Sequence, residues 1–294
     1  MVDYIAARMT AVPMIRRAPA QHWVGDGFPV RSMFHYGDGP EWSPFLLMDY
    51  AAPTTFPPAQ QPRGVGPHPH RGFETVTVVF AGEVSHRDSA GHGGTIGPGD
   101  VQWMTAAGGV VHEEFHSEAF TARGGALEMV QLWVNLPARD KMGKPRYQDL
   151  RDANIPRVAL GNDMGFLRVI AGTFAGAKGP AKTHTPVELW DVTLLRSGEL
   201  RVELPASHSK IVLLRRGDLR IDGAHALATG ELAKLPRGTA SFTLRAGEQG
   251  ASLLVLGGEP IDEPVVGHGP FVMNTQAEIA TAIRDFQAGR MGSL

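Results

Sequence analysis

Short apolar segments separated by turn residues run along most of the chain. The stretch ETVTVVFAGEVSH over 74–86 is rich in β-branched residues, and LEMVQLWVN over 127–135 consists mostly of residue types that favour strands. In the second half, the segments FLRVIAG, KIVLLRRGDLRI, ASFTLRAG and ASLLVLGGEP are each followed by a turn that contains glycine. This spacing predicts antiparallel strands arranged as a sandwich or a barrel.

Glycine and proline are unusually frequent. The 294 residues include 36 Gly and 22 Pro, about a fifth of the chain, whereas average usage of the two is roughly 12%. Both residues interrupt helices and mark turns. The composition therefore favours an all-β fold.

One helix is predicted, near the C-terminal end. Thr275 and Glu278 have the spacing of a capping box, and Gly289 can end the helix. The apolar side chains that share one face of it are Ile279, Ile283 and Phe286. This face is expected to pack across a sheet.

A change in composition divides the chain into two halves. The segment ARDKMGKPRYQDLRDANIP is polar, charged and bounded by prolines, as is typical of a linker. We predict an N-terminal domain over 1–137, a linker over 138–157 and a C-terminal domain over 158–294 that ends in the helix.

Composition and charge exclude several function classes. The chain contains no Cys, which excludes disulfides, thiolate nucleophiles and iron–sulfur clusters. Any metal must therefore be held by imidazole and carboxylate groups. The formal net charge of -2 gives no reason to expect direct binding of nucleic acid. With no signal-peptide pattern at the start and no run of about 20 apolar residues, we expect a cytoplasmic protein that makes no membrane contact.

Two pairs of residues carry the candidate chemistry. His68 and His70 stand two positions apart, and so do His112 and Glu114. Alternate side chains of a strand project to the same face, so each pair can reach one point inside a barrel. Two such pairs on neighbouring strands would place four ligands around one metal ion. The donor set suits Fe(II), and it also accepts Ni, Cu, Mn, Co or Zn.

Structural roles compete with functional ones for the neighbouring residues. By parity Glu113 points away from the ion, and His116 is expected to be a half-exposed residue at a strand end. Phe73, Trp103 and Met104 could shape an apolar pocket for a planar substrate, although core packing is the commoner role. His86 and His92 lie in a turn region and are expected to form hydrogen bonds with the backbone. The others are expected to be structural or on the surface: His22, His35, His184, His208, His225 and His268. The second half has no such pair and is predicted to bind no metal.

The segment HPHRGFETVTVVFAGEVSHRDSAGHGGTIGPGDVQWMTAAGGVVHEEFHSE resembles the signature block of the pirin family within the cupin superfamily. VGDGFPVR and SPFLLMDY before it, and GPFVMNTQAEIATAIRDFQAGRMG at the end, are similar to that family as well. The resemblance implies a bicupin, which consists of two antiparallel β-barrels or jelly rolls packed face to face. It also implies iron in the N-terminal barrel, with His68, His70, His112 and Glu114 as ligands.

The identity of the carboxylate ligand is open at this point. Cupins at large take it from the first motif, and Glu74 has that spacing; in a regular strand it also has the parity of His68 and His70. The resemblance to pirins favours Glu114 instead. Glu74 is then a carboxylate that supports a ligand or has a structural role.

The resemblance implies a dioxygenase of the quercetin 2,3-dioxygenase type. Its substrates would be a small planar aromatic molecule and dioxygen, and Glu114 would take the proton of the substrate hydroxyl. The alternative is a non-catalytic, iron-binding pirin that acts as a redox-switched partner of a regulatory or metabolic protein. A weaker alternative is an isomerase of phosphorylated sugars, which would need basic residues near the metal; the sequence offers Arg63, Arg71 and Arg87.

Overall fold

The computed structural model describes residues 12–294. The start of the predicted N-terminal domain, residues 1–11, lies outside the described residues. Within the described range the protein is built of β-strands, three 3-10 turns (Tyr36–Asp38, Pro40–Trp42 and Asp152–Asn154) and two α-helices, α1 (Glu118–Arg123) and α2 (Gln276–Gln287). The prediction of an all-β fold is confirmed.

Twelve strands lie between residues 12 and 150. They are β1 (Met14–Arg16), β2 (His22–Val24), β3 (Phe28–His35), β4 (Phe45–Phe56), β5 (Gly64–His70), β6 (Phe73–Ala81), β7 (Val84–Asp88), β8 (Gly93–Ile96), β9 (Val101–Thr105), β10 (Val110–His116), β11 (Gly125–Asn135) and β12 (Arg146–Leu150).

Twelve more strands follow. They are β13 (Arg157–Leu160), β14 (Gly165–Ala171), β15 (Thr173–Phe174), β16 (Ala177–Lys178), β17 (Val187–Leu194), β18 (Glu199–Glu203), β19 (Ser209–Ile221), β20 (His225–Ala228), β21 (Leu232–Leu235), β22 (Ser241–Gly258), β23 (Val266–His268) and β24 (Phe271–Met273).

Two antiparallel sheets enclose the interior of the first barrel. One has the strand order β12-β9-β6-β11-β4-β3-β2 and the other the order β5-β10-β7-β8. Alternation along β6 separates its two faces: the Thr77 hydroxyl contacts a side chain of the four-stranded sheet, whereas Val76 and Val78 lie in a core shared with the second barrel.

The second barrel is a nine-stranded sheet with the central order β1-β21-β19-β22-β17-β14-β13, to which β18 and β20 add. Its interior holds a large cluster of buried apolar side chains, among them Trp190, Leu253 and Val255. A second cluster joins residues of both barrels, such as Trp103 of the first and Ile211 of the second. The predicted arrangement of two barrels packed face to face is therefore confirmed.

Three segments pack in a barrel that their position in the sequence does not suggest. The segment predicted as a linker contains β12, which pairs with β9 along the edge of the first barrel. Conversely, β1, from the N-terminal half of the chain, pairs with β21 of the second barrel. The end of the chain, from β23 to the residues after α2, packs against the first barrel through Val111. The two barrels thus exchange segments, which local sequence patterns do not reveal.

The predicted C-terminal helix is present as α2. The Thr275 hydroxyl accepts a hydrogen bond from the backbone amide of Glu278 at 3.2 Å, as the capping box predicts. Ile279 is buried and Ile283 partly buried, whereas Phe286 is 39% exposed, so the packed face is narrower than predicted. The sequence patterns missed α1, a six-residue helix capped by Ser117.

Candidate metal site

The first pair of histidines lies on β5 and the second pair of candidate ligands on β10. These strands are antiparallel neighbours, with His68 directly opposite His112 and His70 opposite Val110. The ring centres of His68 and His112 are 4.2 Å apart, and that of His70 lies 4.9 Å from His68 and 4.8 Å from His112. One nitrogen from each ring falls within 4.8 Å of the others. Three of the four predicted ligands are therefore together.

Backbone carbonyls orient two of the three imidazoles. Nδ1 of His68 lies 2.9 Å from the Gly66 oxygen, and Nδ1 of His70 lies 3.4 Å from the Pro270 oxygen. Because a carbonyl only accepts, Nδ1 is the donor in both rings, and Nε2 keeps its lone pair for a metal. His112 is fully buried, and neither of its ring nitrogens has a hydrogen-bond partner in the part of the chain that the structure describes. The donor set therefore fits a metal ion that accepts imidazole.

Burial also sets the protonation of the three rings. It lowers the pKa of His68, and it lowers the pKa of His70 and His112 well below the usual value. Buried histidines are therefore neutral near pH 7, and the neutral ring is the form that binds metal.

Glu114 lies two residues beyond His112 on β10, in the interior of the first barrel. Its side chain is buried, and the Thr77 hydroxyl donates a hydrogen bond of 3.5 Å to Oε1. Burial raises the pKa of Glu114 to about 7. The carboxylate is not part of the group of ligand atoms within 4.8 Å of one another. Its role as the fourth ligand stays a prediction.

Glu74 faces away from the three histidines. The strand does not stay regular between His70 and Glu74, because β5 ends at His70 and β6 begins in the other sheet after Gly72, whose φ is +92°. The parity argument for Glu74 therefore fails. Its carboxylate accepts a 2.6 Å hydrogen bond from Thr105 and lies within 4.0 Å of Arg146 and His184.

Aromatic side chains surround the candidate ligands. Trp133 lies 5.2 Å from His70 and stacks on Phe73 at 4.2 Å between ring centres. Met104 packs beside Val110 inside the barrel. Phe73 and Met104 are thus two of the three residues that could shape a pocket. The third, Trp103, lies instead in the core between the barrels.

Sequence reasoning did not single out two residues of this interior. His86 lies opposite Glu114 in the pairing of β7 with β10, and Tyr147 of β12 lies 4.6 Å from it between ring centres. Both ring nitrogens of His86 and the hydroxyl of Tyr147 are buried and have no hydrogen-bond partner among the described residues. His86 was expected to bond to backbone in a turn, and Tyr147 fell in the predicted linker. The alternation of VSHRD as a strand was the signal that could have placed His86 inside.

Two further expectations concern other residues of β10. Glu113 pairs with exposed Arg87, so it points away from the three histidines, as its parity predicts. His116 was expected to be half-exposed, but only 3% of it is accessible, and its Nε2 lies 2.9 Å from the Gly27 oxygen. The ring packs edge-on against Phe28 and Phe56, which explains its burial.

Comparison with protein families matches both barrels. The pirin model matches residues 27–134, and the model of the pirin C-terminal cupin domain matches residues 189–292. The chain belongs to the pirin family. A relative from Pseudomonas aeruginosa, which carries the provisional name quercetin 2,3-dioxygenase, is 58% identical over 271 residues, or 92% of this pirin and 94% of the relative.

Solved structures agree with this assignment. The crystal structure of a quercetin 2,3-dioxygenase from Acinetobacter baumannii matches 95% of this pirin and 97% of that chain, with a TM-score of 0.92 and 49% identity. The pirin YhhW from Escherichia coli in complex with nickel(II) matches 85% of this pirin and 100% of its own chain, with a TM-score of 0.65 and 20% identity. The second likeness shows the fold alone.

Among residues 12–294, no helix is long and apolar enough to cross a membrane. The cytoplasmic location stays a prediction.

Proposed function

We propose that this pirin is a metal-dependent dioxygenase of the quercetin 2,3-dioxygenase type, with iron as its metal. It would open the heterocycle of a flavonol or a similar planar enol with dioxygen and release carbon monoxide. The proposal rests on the group of three histidines inside the first barrel. One of them, His112, lies two residues before Glu114 on the same strand, and the carboxyl of Glu114 is buried. The names of the Pseudomonas and Acinetobacter proteins support the substrate class.

The three histidines would hold the metal. Hydrogen bonds from Nδ1 leave Nε2 of His68 and of His70 free for it, and His112 would add a nitrogen that has no other partner. Glu114 is the proposed fourth ligand. When bound, a divalent ion would supply Lewis acidity and coordination positions for the substrate.

Glu114 is also the proposed base. Burial raises the pKa of this carboxyl to about 7 in the metal-free protein, and the charge of a bound cation would lower it, which favours the carboxylate form that can accept a proton. The hydrogen bond from Thr77 holds one oxygen of the carboxyl in place. The proton of the substrate hydroxyl would pass to a carboxylate oxygen of Glu114 and return to the product after the ring has opened.

A second candidate function is the non-catalytic one, an iron-binding partner of a regulatory or metabolic protein. The burial of His70 and His112 favours it, because a closed site limits the access of a large substrate. Of the three histidines only His68 is partly exposed, so a substrate would have to approach from its side.

The contacts of the three arginines give no support to an isomerase of phosphorylated sugars. Arg71 pairs with Asp285, Arg87 pairs with Glu113, and Arg63 stacks over Phe56. Each of them is engaged elsewhere than at the histidines.

Oxygen uptake tests the proposal directly. The protein is purified without oxygen, reconstituted with Fe(II) and mixed with quercetin, with the His112→Ala variant in parallel. We expect oxygen consumption and a ring-opened product from the wild type and neither from the variant. Bound metal without turnover would contradict the dioxygenase and favour the binding partner.

The carboxylate ligand is tested by a matched pair of variants, Glu114→Gln and Glu74→Gln. Both replace a buried carboxylate by an amide of the same shape, but only Glu114 lies on the strand of His112. We expect Glu114→Gln to weaken metal binding and abolish oxygen uptake, and Glu74→Gln to leave both unchanged. The reverse pattern would transfer the role to Glu74.

A further inference from the structure

The metal-binding barrel is closed from outside by the end of the other half of the chain. We name residues 266–292 the C-terminal clamp; it comprises the hairpin β23–β24, helix α2 and the residues that follow. We propose that this clamp positions the metal ligands of the first barrel, with Asp285 and Arg71 as the positioning residues. The inference rests on the metal site of the proposed function.

Backbone contacts join the clamp to the chain next to His70. The Arg71 amide donates to the Pro270 oxygen at 3.3 Å, and the Val272 amide donates to the Arg71 oxygen at 3.0 Å. The same Pro270 oxygen accepts the hydrogen bond from Nδ1 of His70. The clamp therefore supplies the group that decides which nitrogen of His70 faces the metal.

The Arg71 side chain ties three elements together. Its Nε donates to the Gly108 oxygen at 2.7 Å, and its Nη1 donates to Oδ2 of Asp285 at 2.7 Å. Gly108 belongs to the turn that leads into β10 and His112, and Asp285 belongs to α2. Because the Arg71 side chain is only 4% exposed, its charge depends on Asp285 for compensation.

A buried lysine fixes the turn after His70 to the same clamp. The Lys141 ammonium donates to the Gly72 oxygen at 2.7 Å, to the Val272 oxygen at 3.0 Å and to the Asn135 side chain at 2.6 Å. Gly72 leaves no space for a side chain there, since a Cβ would lie 1.9 Å from the Val272 oxygen.

The end of the clamp holds the strand that carries His112. Ser89 donates from its hydroxyl to the Met291 oxygen at 2.6 Å and accepts from the Val111 amide at 3.0 Å. Apolar side chains cover the same strand, and this cluster consists of Val111, Phe271, Met273, Ile279, Ala282 and Met291. The clamp thus contacts the strands of His70 and His112 together.

Loss of an outer partner of a metal-binding histidine costs roughly 10–100-fold in metal affinity. Asp285 acts one step further out, through Arg71. We therefore expect Asp285→Asn to raise the Kd for Co(II) by about 10-fold, the lower end of that range, and to alter the visible absorption of the bound cobalt. Asp285→Glu keeps the charge and should restore most of the affinity and the wild-type spectrum. All measurements use the full-length protein and Co(II) as the probe.

Two controls distinguish an effect on the position of the metal ligands from an effect on the stability of the whole protein. Glu199→Gln is the matched control, because it removes the carboxylate partner of Arg245 on the second barrel, away from the site; its Kd and spectrum should equal those of the wild type. Urea unfolding of each metal-free variant reports stability. If Asp285→Asn proves unstable, Arg71→Lys serves as the second variant. It keeps the charge but loses the simultaneous contacts with Gly108 and Asp285, and we expect it to shift the cobalt spectrum as well.

The outcomes distinguish the inference from the proposed function. A wild type that binds no Co(II) would contradict the metal site itself. A wild type that binds Co(II) while Asp285→Asn and Arg71→Lys keep its Kd and spectrum would overturn the role of the clamp alone.

Discussion

The interior of the second barrel is filled by apolar side chains such as Trp190, Leu253 and Val255. The interior of the first barrel instead contains His86, His112 and Glu114, and the ring nitrogens of the two histidines have no hydrogen-bond partner among residues 12–294. Apolar burial stabilises a barrel, whereas a buried polar group without a partner costs free energy. The first barrel therefore gives up stability where the second gains it.

This contrast indicates how the two halves divide the work. The largest apolar cluster that belongs to the first barrel alone includes Phe28, Val79 and Leu127, whereas Phe73 and Trp133 lie beside His70. The barrel that carries the polar interior is also the one that the C-terminal clamp and the shared core support from outside. The barrel that holds these unpartnered polar groups is therefore stabilised by apolar packing outside the site, in the clamp and in the shared core.

The largest effect is expected from the apolar interior. Leu253→Ala should lower the free energy of unfolding by about 2–5 kcal/mol, because it removes a buried side chain and leaves a cavity. Urea unfolding of the metal-free protein measures it. A loss below about 1 kcal/mol would mean that the second barrel is less tightly packed than its burial indicates.

Acid should destabilise the first barrel through its buried histidines. Burial lowers the pKa of His86 to about 4, while the unfolded chain has a pKa near 6.5. Between these values the unfolded state binds a proton that the folded state does not. Stability is therefore complete above about pH 6.5 and falls as the pH drops towards 4, by up to about 3 kcal/mol for this residue.

The measurement is urea unfolding from pH 7.5 to 4.5, with the His86→Leu variant as control. The variant should lose less stability over this range than the wild type. Identical pH profiles would show that His86 is not the group that resists protonation.

Much of this organisation could be predicted from the sequence, because it depends on local spacing. The pairs His68/His70 and His112/Glu114 follow from strand periodicity, and the capping box at Thr275 marks α2. The all-β character follows from the many glycines, prolines and β-branched residues.

The rest depends on contacts between residues that are distant in the chain. Nothing local marks β12 as an edge strand of the first barrel, or β1 as a strand of the second. The pairing of Arg71 with Asp285 spans 214 positions. The parity of Glu74 held only on the condition of a regular strand, and that condition fails at Gly72, where a change of sheet interrupts the strand.

Metal should stabilise the protein through the first barrel only. At a free metal concentration of 100 times Kd, the expected gain is about 2.7 kcal/mol. Thermal unfolding with and without Ni(II) measures it, and a chelator should reverse the gain. The His112→Ala variant is expected to show no shift, and an equal shift in the variant would place the stabilising metal elsewhere.

The smallest change in the free energy of unfolding is expected when one polar group is removed from the interior of the first barrel. At pH 7.5, His86→Leu in the metal-free protein should change the free energy of unfolding by less than about 1 kcal/mol or increase it, because both ring nitrogens of His86 lack partners. The measurement is urea unfolding beside Leu253→Ala. A loss as large as that of Leu253→Ala would remove the contrast between the two interiors.

The three-histidine site is tested most directly by the metal content of the wild type and of His112→Ala, after anaerobic reconstitution with Fe(II) and removal of free metal. We expect one iron per chain in the wild type and none in the variant, with both proteins folded. An iron-free wild type, or a variant that retains one equivalent, would contradict the assignment of the three histidines as the metal site.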